Sequence, residues 1–195
     1  MNITDTMAGH GLDALRTAIA GQLFVPGEAG YDQARQAWNL AVDQRPAVVV
    51  EAGSAADVAQ AVRFARAHGI RIAPQGTGHG AGPLEPLDGA MLLRTTRMRT
   101  VRIDPAARTA RAEAGATWPD VTIPAAQHGL AALAGSSTTV GVTGYSRISS
   151  AVTTPMPPPP RTAQNRSASW SASARTRSPP GVTSSAAVTL LAASP

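Results

Sequence analysis

Between residues 47 and 73 the hydrophobic positions follow first a strand pattern, then a helix pattern, then a strand pattern again. Residues 47–50 form a short apolar, mostly β-branched run that is typical of a strand buried on both faces. Ser54, with Asp57 three residues later, indicates a capped helix, and apolar residues then recur at helical spacing until Gly69. Residues 70–73 alternate again. This order predicts a β-α-β unit from a parallel sheet.

Weaker patterns flank this unit. Before it, Leu12, Leu15 and Ile19 share one face of a short helix, and residues 31–44 keep a helical period, with Trp38 expected in the core. After it, the chain predicts a strand at 91–93, a hairpin of 98–103 and 109–114 around an Asp104-Pro105 turn, a helix at 117–128 and a strand at 130–134. These elements predict a mixed α/β (α+β) fold.

The second strand of the β-α-β unit leads into a loop with four glycines between residues 76 and 82 and one histidine, His79. Glycine accepts positive φ angles, and successive N–H groups in such a turn can bind a phosphate. Gly76, Gly78 and Ala81 also fit the G-x-G-x-x-G/A pattern of Rossmann folds. That pattern must open a helix, whereas Pro83 follows here at once. We therefore expect a phosphate-binding loop of another kind.

A second loop of small residues runs from Gly135 to Tyr145, directly after the strand predicted at 130–134. It contains three glycines and no charged side chain. Two glycine-rich turns at strand ends can offer N–H donors to a pyrophosphate dianion. The residues alone leave an alternative for each loop, which is a tight turn without a ligand.

The composition excludes several kinds of site. The chain has no cysteine, so disulfides and thiolate metal sites are excluded, and its four histidines lack the spacing of metal ligands. We therefore expect no metal. No apolar run reaches the length of a membrane span, and the first residues lack a signal-peptide pattern. These absences predict a cytoplasmic protein without a membrane contact.

The net charge of +5 comes from the end of the chain. Residues 1–145 contain 12 arginines and all 12 acidic residues, and we expect Arg71, Arg94 and Arg97 to be solvated strand and turn residues. Residues 146–195 contain the remaining arginines, no acid, and mostly Ser, Pro, Ala and Thr. This composition predicts a disordered, low-complexity tail. Because Trp170 is its single aromatic residue, we do not expect the tail to bind nucleic acid.

Taken together, these features resemble the FAD-linked oxidases of the vanillyl-alcohol oxidase (PCMH) fold, and most closely the bacterial branch of the berberine bridge enzyme-like oxidoreductases. The resemblance is carried by residues 31–46 with Trp38-Asn39 and Arg45-Pro46, residues 54–69, residues 75–79, and residues 135–145 with Val140-Gly141 and Gly144. It divides the chain into a helical lead-in of residues 1–29, a partial FAD-binding domain of residues 30–145, and a tail of residues 146–195.

The family implies two small α/β subdomains that hold FAD between them. Its glycine loop wraps the pyrophosphate, and in many members the histidine that matches His79 is bonded covalently to the methyl carbon of the flavin. Some members carry a second covalent link through a cysteine in the second loop, which this chain lacks. The implied cofactor-binding residues are Gln75, Gly76, Thr77, Gly78, His79, Gly80, Ala81, Gly135, Ser136, Ser137, Thr138, Val140, Gly141, Gly144 and Tyr145.

Members of the family continue after the second loop with the rest of the flavin domain and a substrate domain, which supply the catalytic base. No catalytic residue is identifiable in this chain, and a reading-frame shift near Tyr145 would explain the altered composition. We expect a truncated FAD-binding part of an FAD-dependent oxidoreductase. In the intact family, an alcohol, sugar or C–H/amine donor transfers hydride to flavin, and O2 reoxidises it. The alternative is a catalytically silent fragment or interaction module with a disordered basic tail.

Overall fold

The computed structural model describes residues 11–82, 86–151 and 185–192 of the 195-residue chain. These residues form two four-stranded sheets with helices packed against them. The helices are α1 (Leu12–Ala18), α2 (Tyr31–Ala34), α3 (Ala55–Ala67), α4 (Trp118–Ala126) and α5 (Val142–Ala151). The strands are β1 (Gln22–Phe24), β2 (Val48–Glu51), β3 (Ile72–Gln75), β4 (Met91–Arg94), β5 (Val101–Asp104), β6 (Thr109–Glu113), β7 (Leu130–Ala132) and β8 (Ser185–Ala192). Among them, no helix combines the length and the apolar character that crossing a membrane requires.

The first sheet has the strand order β1-β2-β4-β3, with β1 antiparallel to β2 and the other three strands parallel. The predicted β-α-β unit of β2, α3 and β3 is confirmed, but β4 lies between its two strands. Val48 and Val50 are fully buried in the core that β2 shares with α1 and α3, whereas Val49 belongs to a second cluster with Tyr31 and Leu92. Burial on both faces explains why this strand is a continuous apolar run.

Helix α3 begins where its capping residues predict. The Ser54 hydroxyl accepts a hydrogen bond from the Asp57 N–H at 3.2 Å. The buried Asp57 carboxylate accepts bonds from the N–H groups of Gly53 at 2.8 Å and Ala20 at 3.0 Å. After the helix, Gly69 has a φ of 65°, as expected of a residue that ends a helix in the left-handed conformation. Asp57 therefore ties the chain before β1 to the start of α3.

The second sheet has the order β5-β6-β8-β7, and all of its pairs are antiparallel. The predicted hairpin is confirmed as β5 and β6, and the Asp104 carboxylate accepts a bond from the Ala107 N–H at 2.9 Å in its turn. Helix α4 begins with a capping box between Thr117 and Asp120. Trp118 from α4 packs in a core that also contains Leu190 of β8. This subdomain therefore depends on residues from both ends of its sequence.

The predicted helix at 31–44 is wrong beyond Ala34, where α2 ends. The carbonyl groups of Ala34 and Gln36 accept hydrogen bonds from the Arg94 guanidinium, at 2.7 Å and 2.8 Å. A side chain from the neighbouring strand thus takes carbonyls that a longer helix would use for its own bonds. Residues 35–44 follow an irregular path instead.

The prediction of a disordered tail after Tyr145 is wrong for two stretches. Helix α5 continues to Ala151, and residues 185–192 form β8, which pairs with both β6 and β7. Val188 and Leu190 occupy alternate positions of this strand, and Leu190 is 2% exposed. A short apolar alternation is enough for a strand when two neighbours already offer their backbone groups. The rest of the predicted tail lies outside the described residues.

Candidate functional site

The two glycine-rich loops predicted from the sequence lie against each other. The first follows β3 at the carboxyl end of the parallel strands, and the second lies between β7 and α5. His79 joins them, because its Nδ1 lies 2.8 Å from Thr77 Oγ1 and its Nε2 lies 3.4 Å from Thr139 Oγ1. A β-carbon placed on Gly141 would lie 3.7 Å from the Thr77 side chain. Residues about sixty positions apart thus form one surface around a single imidazole ring.

Gly78 is a position in this surface where any side chain would be strained. Its φ is +81°, and an added β-carbon would lie 3.0 Å from each of Ala37 Cα, Trp38 N and Gln75 Nε2. At Gly80, two residues later, an added β-carbon would have no other atom within 4 Å. The first loop is therefore pressed against residues 37–38 at Gly78 and is open to a ligand at Gly80.

Most N–H groups of the two loops have no hydrogen-bond acceptor among the described residues. Among the described residues, none accepts a hydrogen bond from the N–H groups of residues 76–80 or 136–139. The Ala81 N–H, by contrast, closes a turn on the Gly78 carbonyl at 3.2 Å. Residues 76–79 are half-buried, and Gly80 is exposed. Backbone donors of this kind, held in adjacent turns, form a cradle for phosphate oxygens.

The first loop rests on a layer of buried and half-buried polar side chains. Gln75 is buried, accepts a bond from Gln44 Nε2 at 2.9 Å, and donates to the Gln36 carbonyl at 3.3 Å. Arg94 donates to the same carbonyl, and burial lowers the pKa of its guanidinium. The prediction that Arg94 is solvated is therefore wrong. Its position at the end of the central strand β4 directs it under the loop, and neither Gln44 nor Arg94 was predicted to belong to this site.

Trp38 forms one wall of the site. Its indole stacks on the His79 imidazole, with ring centroids 4.5 Å apart and an angle of 20° between the planes. The expectation that Trp38 packs in the core is wrong, because 58% of its surface is exposed. The early end of α2 explains the difference, since residues 35–38 leave the helical path and turn Trp38 towards the glycine loop.

The second loop is shorter than predicted. Helix α5 begins at Val142, so Gly144 and Tyr145 lie in a helix and not in the loop. A β-carbon on Gly135 would lie 3.0 Å from the Tyr145 ring, which packs edge-on against Trp118 at 5.5 Å. Gly135 and Tyr145 therefore support the base of the loop.

The remaining predicted residues of the second loop divide between surface and core. Ser136, Ser137 and Thr138 are exposed, and the Ser137 hydroxyl lies 3.0 Å from that of Thr139. Val140 is half-buried and packs on the second core. Thr139 was not among the predicted site residues, although its residue type and its position in the loop gave the same signal as its neighbours. It is the residue of this loop that contacts His79.

A separate open cleft of about 620 Å³ carries no comparable chemistry. It lies at the amino ends of β2 and β4, and its lining includes Arg35, Asp43 and Arg45. These charged side chains are already paired, because both arginines form ion pairs with Asp43. Ligands of parallel sheets bind at the opposite, carboxyl ends of the strands, where the glycine loop lies.

Comparison with known proteins identifies this arrangement. Residues 46–148 match the family model described as the FAD binding domain. The chain belongs to this family. The match includes both glycine-rich loops and ends in α5, and it confirms the resemblance to the amino-terminal part of the PCMH-type FAD-linked oxidases.

Individual relatives agree with this assignment. The chain is 33% identical over 127 residues to (R)-6-hydroxynicotine oxidase of Paenarthrobacter nicotinovorans. That match covers 65% of the chain and 28% of the relative, so the chain spans less than a third of the length of the curated relatives that it matches. A likeness over this fraction concerns the domain and not the whole activity.

Solved structures show the same fold. The crystal structure of 6-hydroxy-D-nicotine oxidase from Arthrobacter nicotinovorans has a TM-score of 0.58 at 33% identity, over 63% of this chain and 27% of that one. The berberine bridge enzyme-like protein 1 of Physcomitrella patens has a TM-score of 0.62 at 28% identity, over 69% of this chain and 30% of that one. The predicted PCMH-type fold is thus confirmed, and the cofactor of the domain is FAD.

Proposed function

We propose that this chain holds FAD across its two glycine-rich loops, as the flavin-binding part of an oxidoreductase that oxidises a small molecule. The observation that supports this most strongly is the set of N–H donors at residues 76–80 and 136–139, which face no acceptor among the described residues and meet around His79. The flavin supplies the hydride-accepting chemistry when it is bound. The chain supplies binding, orientation and local polarity.

The residues present suit a pyrophosphate bound through the backbone. Neither loop contains a charged side chain, so N–H groups and hydroxyl groups are the donors available to the anion. Gly76, Gly80 and Ala81 provide backbone of the first loop without bulk, and Ser136, Ser137 and Thr138 add exposed hydroxyls from the second. Buried Gln44 and Gln75 and half-buried Arg94 connect the start of this loop to the Gln36 carbonyl through hydrogen bonds.

We propose further that His79 carries a covalent bond to the flavin. Its ring is held on one face by Trp38 and on one edge by Thr77, so its plane is fixed before any ligand binds. The contact of Nε2 with Thr139 is long, at 3.4 Å, and is easily exchanged for another partner. A positioned imidazole nitrogen of this kind can act as a nucleophile.

For the intact reaction, the relatives suggest an oxidase that passes hydride from an alcohol, sugar or C–H/amine donor to the flavin. A relative at 33% identity carries the name (R)-6-hydroxynicotine oxidase. We propose O2 as the electron acceptor on the same basis. The base that activates the substrate is not among the residues assigned to this site.

The test is flavin uptake by the purified full chain. Wild-type protein should turn yellow on addition of FAD, and part of the flavin should stay with the protein after acid precipitation. His79→Ala should lose the acid-resistant part, whereas His128→Ala, which changes an exposed histidine after α4, should keep it. Circular dichroism confirms that each variant is folded. A folded wild-type chain that takes up no FAD contradicts the proposed function, and acid-resistant flavin in His79→Ala contradicts the attachment site.

A further inference from the structure

Trp38 occupies a position that burial of apolar surface does not explain. A tryptophan side chain is the largest apolar group available to a core, yet 58% of Trp38 is exposed to solvent. Its closest aromatic partner is the His79 imidazole, stacked at 4.5 Å and 20°. An exposed aromatic ring that stacks on a single polar residue favours a role in fixing that residue.

The backbone around Trp38 is held firmly on both sides. On the amino-terminal side, the Gln36 carbonyl accepts hydrogen bonds from Arg94 at 2.8 Å and from Gln75 at 3.3 Å. On the carboxyl-terminal side, the Asn39 side chain accepts a bond from the Ala41 N–H at 3.1 Å. The backbone nitrogen of Trp38 would also lie 3.0 Å from a β-carbon placed on Gly78. The indole is therefore presented to the glycine loop from a fixed backbone.

The contacts of His79 restrict its ring in complementary ways. The hydroxyl of Thr77 lies 2.8 Å from Nδ1 and fixes the direction of one edge of the ring. The indole of Trp38 covers one face and fixes the tilt of the plane. Among the described residues, Nε2 has only the long contact to Thr139, at 3.4 Å.

We propose that Trp38 is a positioning residue for His79, holding the imidazole in the orientation from which it bonds to the flavin. This inference rests on the proposed function. Forming the bond joins a ring nitrogen to the methyl carbon and removes one hydrogen atom from each. The two electrons and two protons pass to O2, which becomes hydrogen peroxide. Trp38 takes no part in this exchange and acts only through the geometry of His79.

The experiment compares Trp38→Ala and Trp38→Phe with wild type in the full chain. For each protein we would measure total bound flavin by absorbance and the rate at which flavin becomes resistant to acid precipitation. Trp38→Ala should bind FAD but form the covalent bond about 2- to 12-fold more slowly, the range that a lost aromatic pair corresponds to. Trp38→Phe, which keeps an aromatic face, should recover most of the rate. Ile123→Ala, at an exposed apolar residue of α4, should behave as wild type.

A second readout needs no flavin. The stacked imidazole is part of the immediate surroundings of the indole, so His79→Ala should change the tryptophan fluorescence of the unliganded chain. The same substitution should change nothing in the Trp38→Phe background, although Trp118 and Trp170 remain.

The outcomes separate the two proposals. Equal rates of covalent attachment in wild type and Trp38→Ala, or unchanged fluorescence in His79→Ala, would refute the role of Trp38 and leave FAD binding intact. A folded wild-type chain that binds no FAD would refute the proposed function, and the role of Trp38 in attachment with it.

Discussion

Replacing Gly78 by alanine tests how tightly the glycine loop is pressed against residues 37–38. The change adds one methyl group at a φ of +81°, where it would lie 3.0 Å from Ala37 Cα, Trp38 N and Gln75 Nε2. Two of these atoms belong to the backbone and cannot rotate away. The loop or the segment beneath it must therefore move.

The cost has two parts. A residue with a β-carbon pays roughly 1–2 kcal/mol to adopt the left-handed conformation. Forcing a methyl group into a closely packed contact costs roughly a further 1–3 kcal/mol. Their sum of about 2–5 kcal/mol is a large part of the stability of an ordinary domain, which is roughly 5–15 kcal/mol.

Gly80→Ala is the matched control. Its β-carbon would meet no atom within 4 Å, and its φ lies outside the left-handed range. A glycine-to-alanine change at a compatible position stabilises the folded protein by about 0.4–1 kcal/mol, because it lowers the conformational entropy of the unfolded chain. In denaturant unfolding of the chain without FAD, Gly78→Ala should therefore lower the free energy of unfolding, whereas Gly80→Ala should raise it. Equal stability of Gly78→Ala and Gly80→Ala would refute the proposed contact between the loop and residues 37–38.

Two further predictions concern the stability of the fold outside the glycine loop. Leu190→Ala should lower the free energy of unfolding by about 2–5 kcal/mol, because Leu190 is 2% exposed in the core with Trp118. Leu40→Ala, at a residue that is 74% exposed, should change the free energy of unfolding by less than about 0.5 kcal/mol. Similar losses of stability in both variants would argue against the placement of β8. For Asp57, burial raises the carboxyl pKa, but the N–H groups of Gly53 and Ala20 outweigh this, and the net pKa is lowered. A lowered folded pKa means that the stabilisation is present above the unfolded value of about 3.9 and is lost as pH falls through the folded pKa. Asp57→Asn should therefore be less stable than wild type near neutral pH, and the gap should narrow in melting curves below about pH 4. A gap that is constant with pH would contradict the assigned ionisation.

The parts of the fold that carry local signals could be predicted from the sequence. The run at 47–50, the cap at Ser54 and the Asp104 turn each specify their structure within a few residues, and the structure agrees. The glycine content of residues 76–82 likewise indicates a loop that a ligand can approach.

The parts that depend on distant partners could not be predicted in the same way. The periodicity of residues 31–44 is helical, but Arg94, about sixty positions away, takes the carbonyls that a longer helix would use. That single competition also turns Trp38 out of the core and towards His79. Strand β4 enters between β2 and β3, an order that no local pattern encodes.

Strand β8 shows a different limit. Its eight residues lie in a stretch whose overall composition indicates disorder. Val188 and Leu190 do occupy alternate positions in this segment, but a single short strand is stable only when both neighbours are already in place. Composition averaged over fifty residues hides such a segment.

Titration of FAD into the purified full chain is the measurement that tests most directly whether the two loops form one flavin site around His79. With flavin fluorescence as the signal, we predict saturable binding of one FAD per chain. Gly78→Ala should bind FAD clearly more weakly. The result that would contradict this account is a chain that circular dichroism shows to be folded, yet that binds no FAD at saturating concentrations.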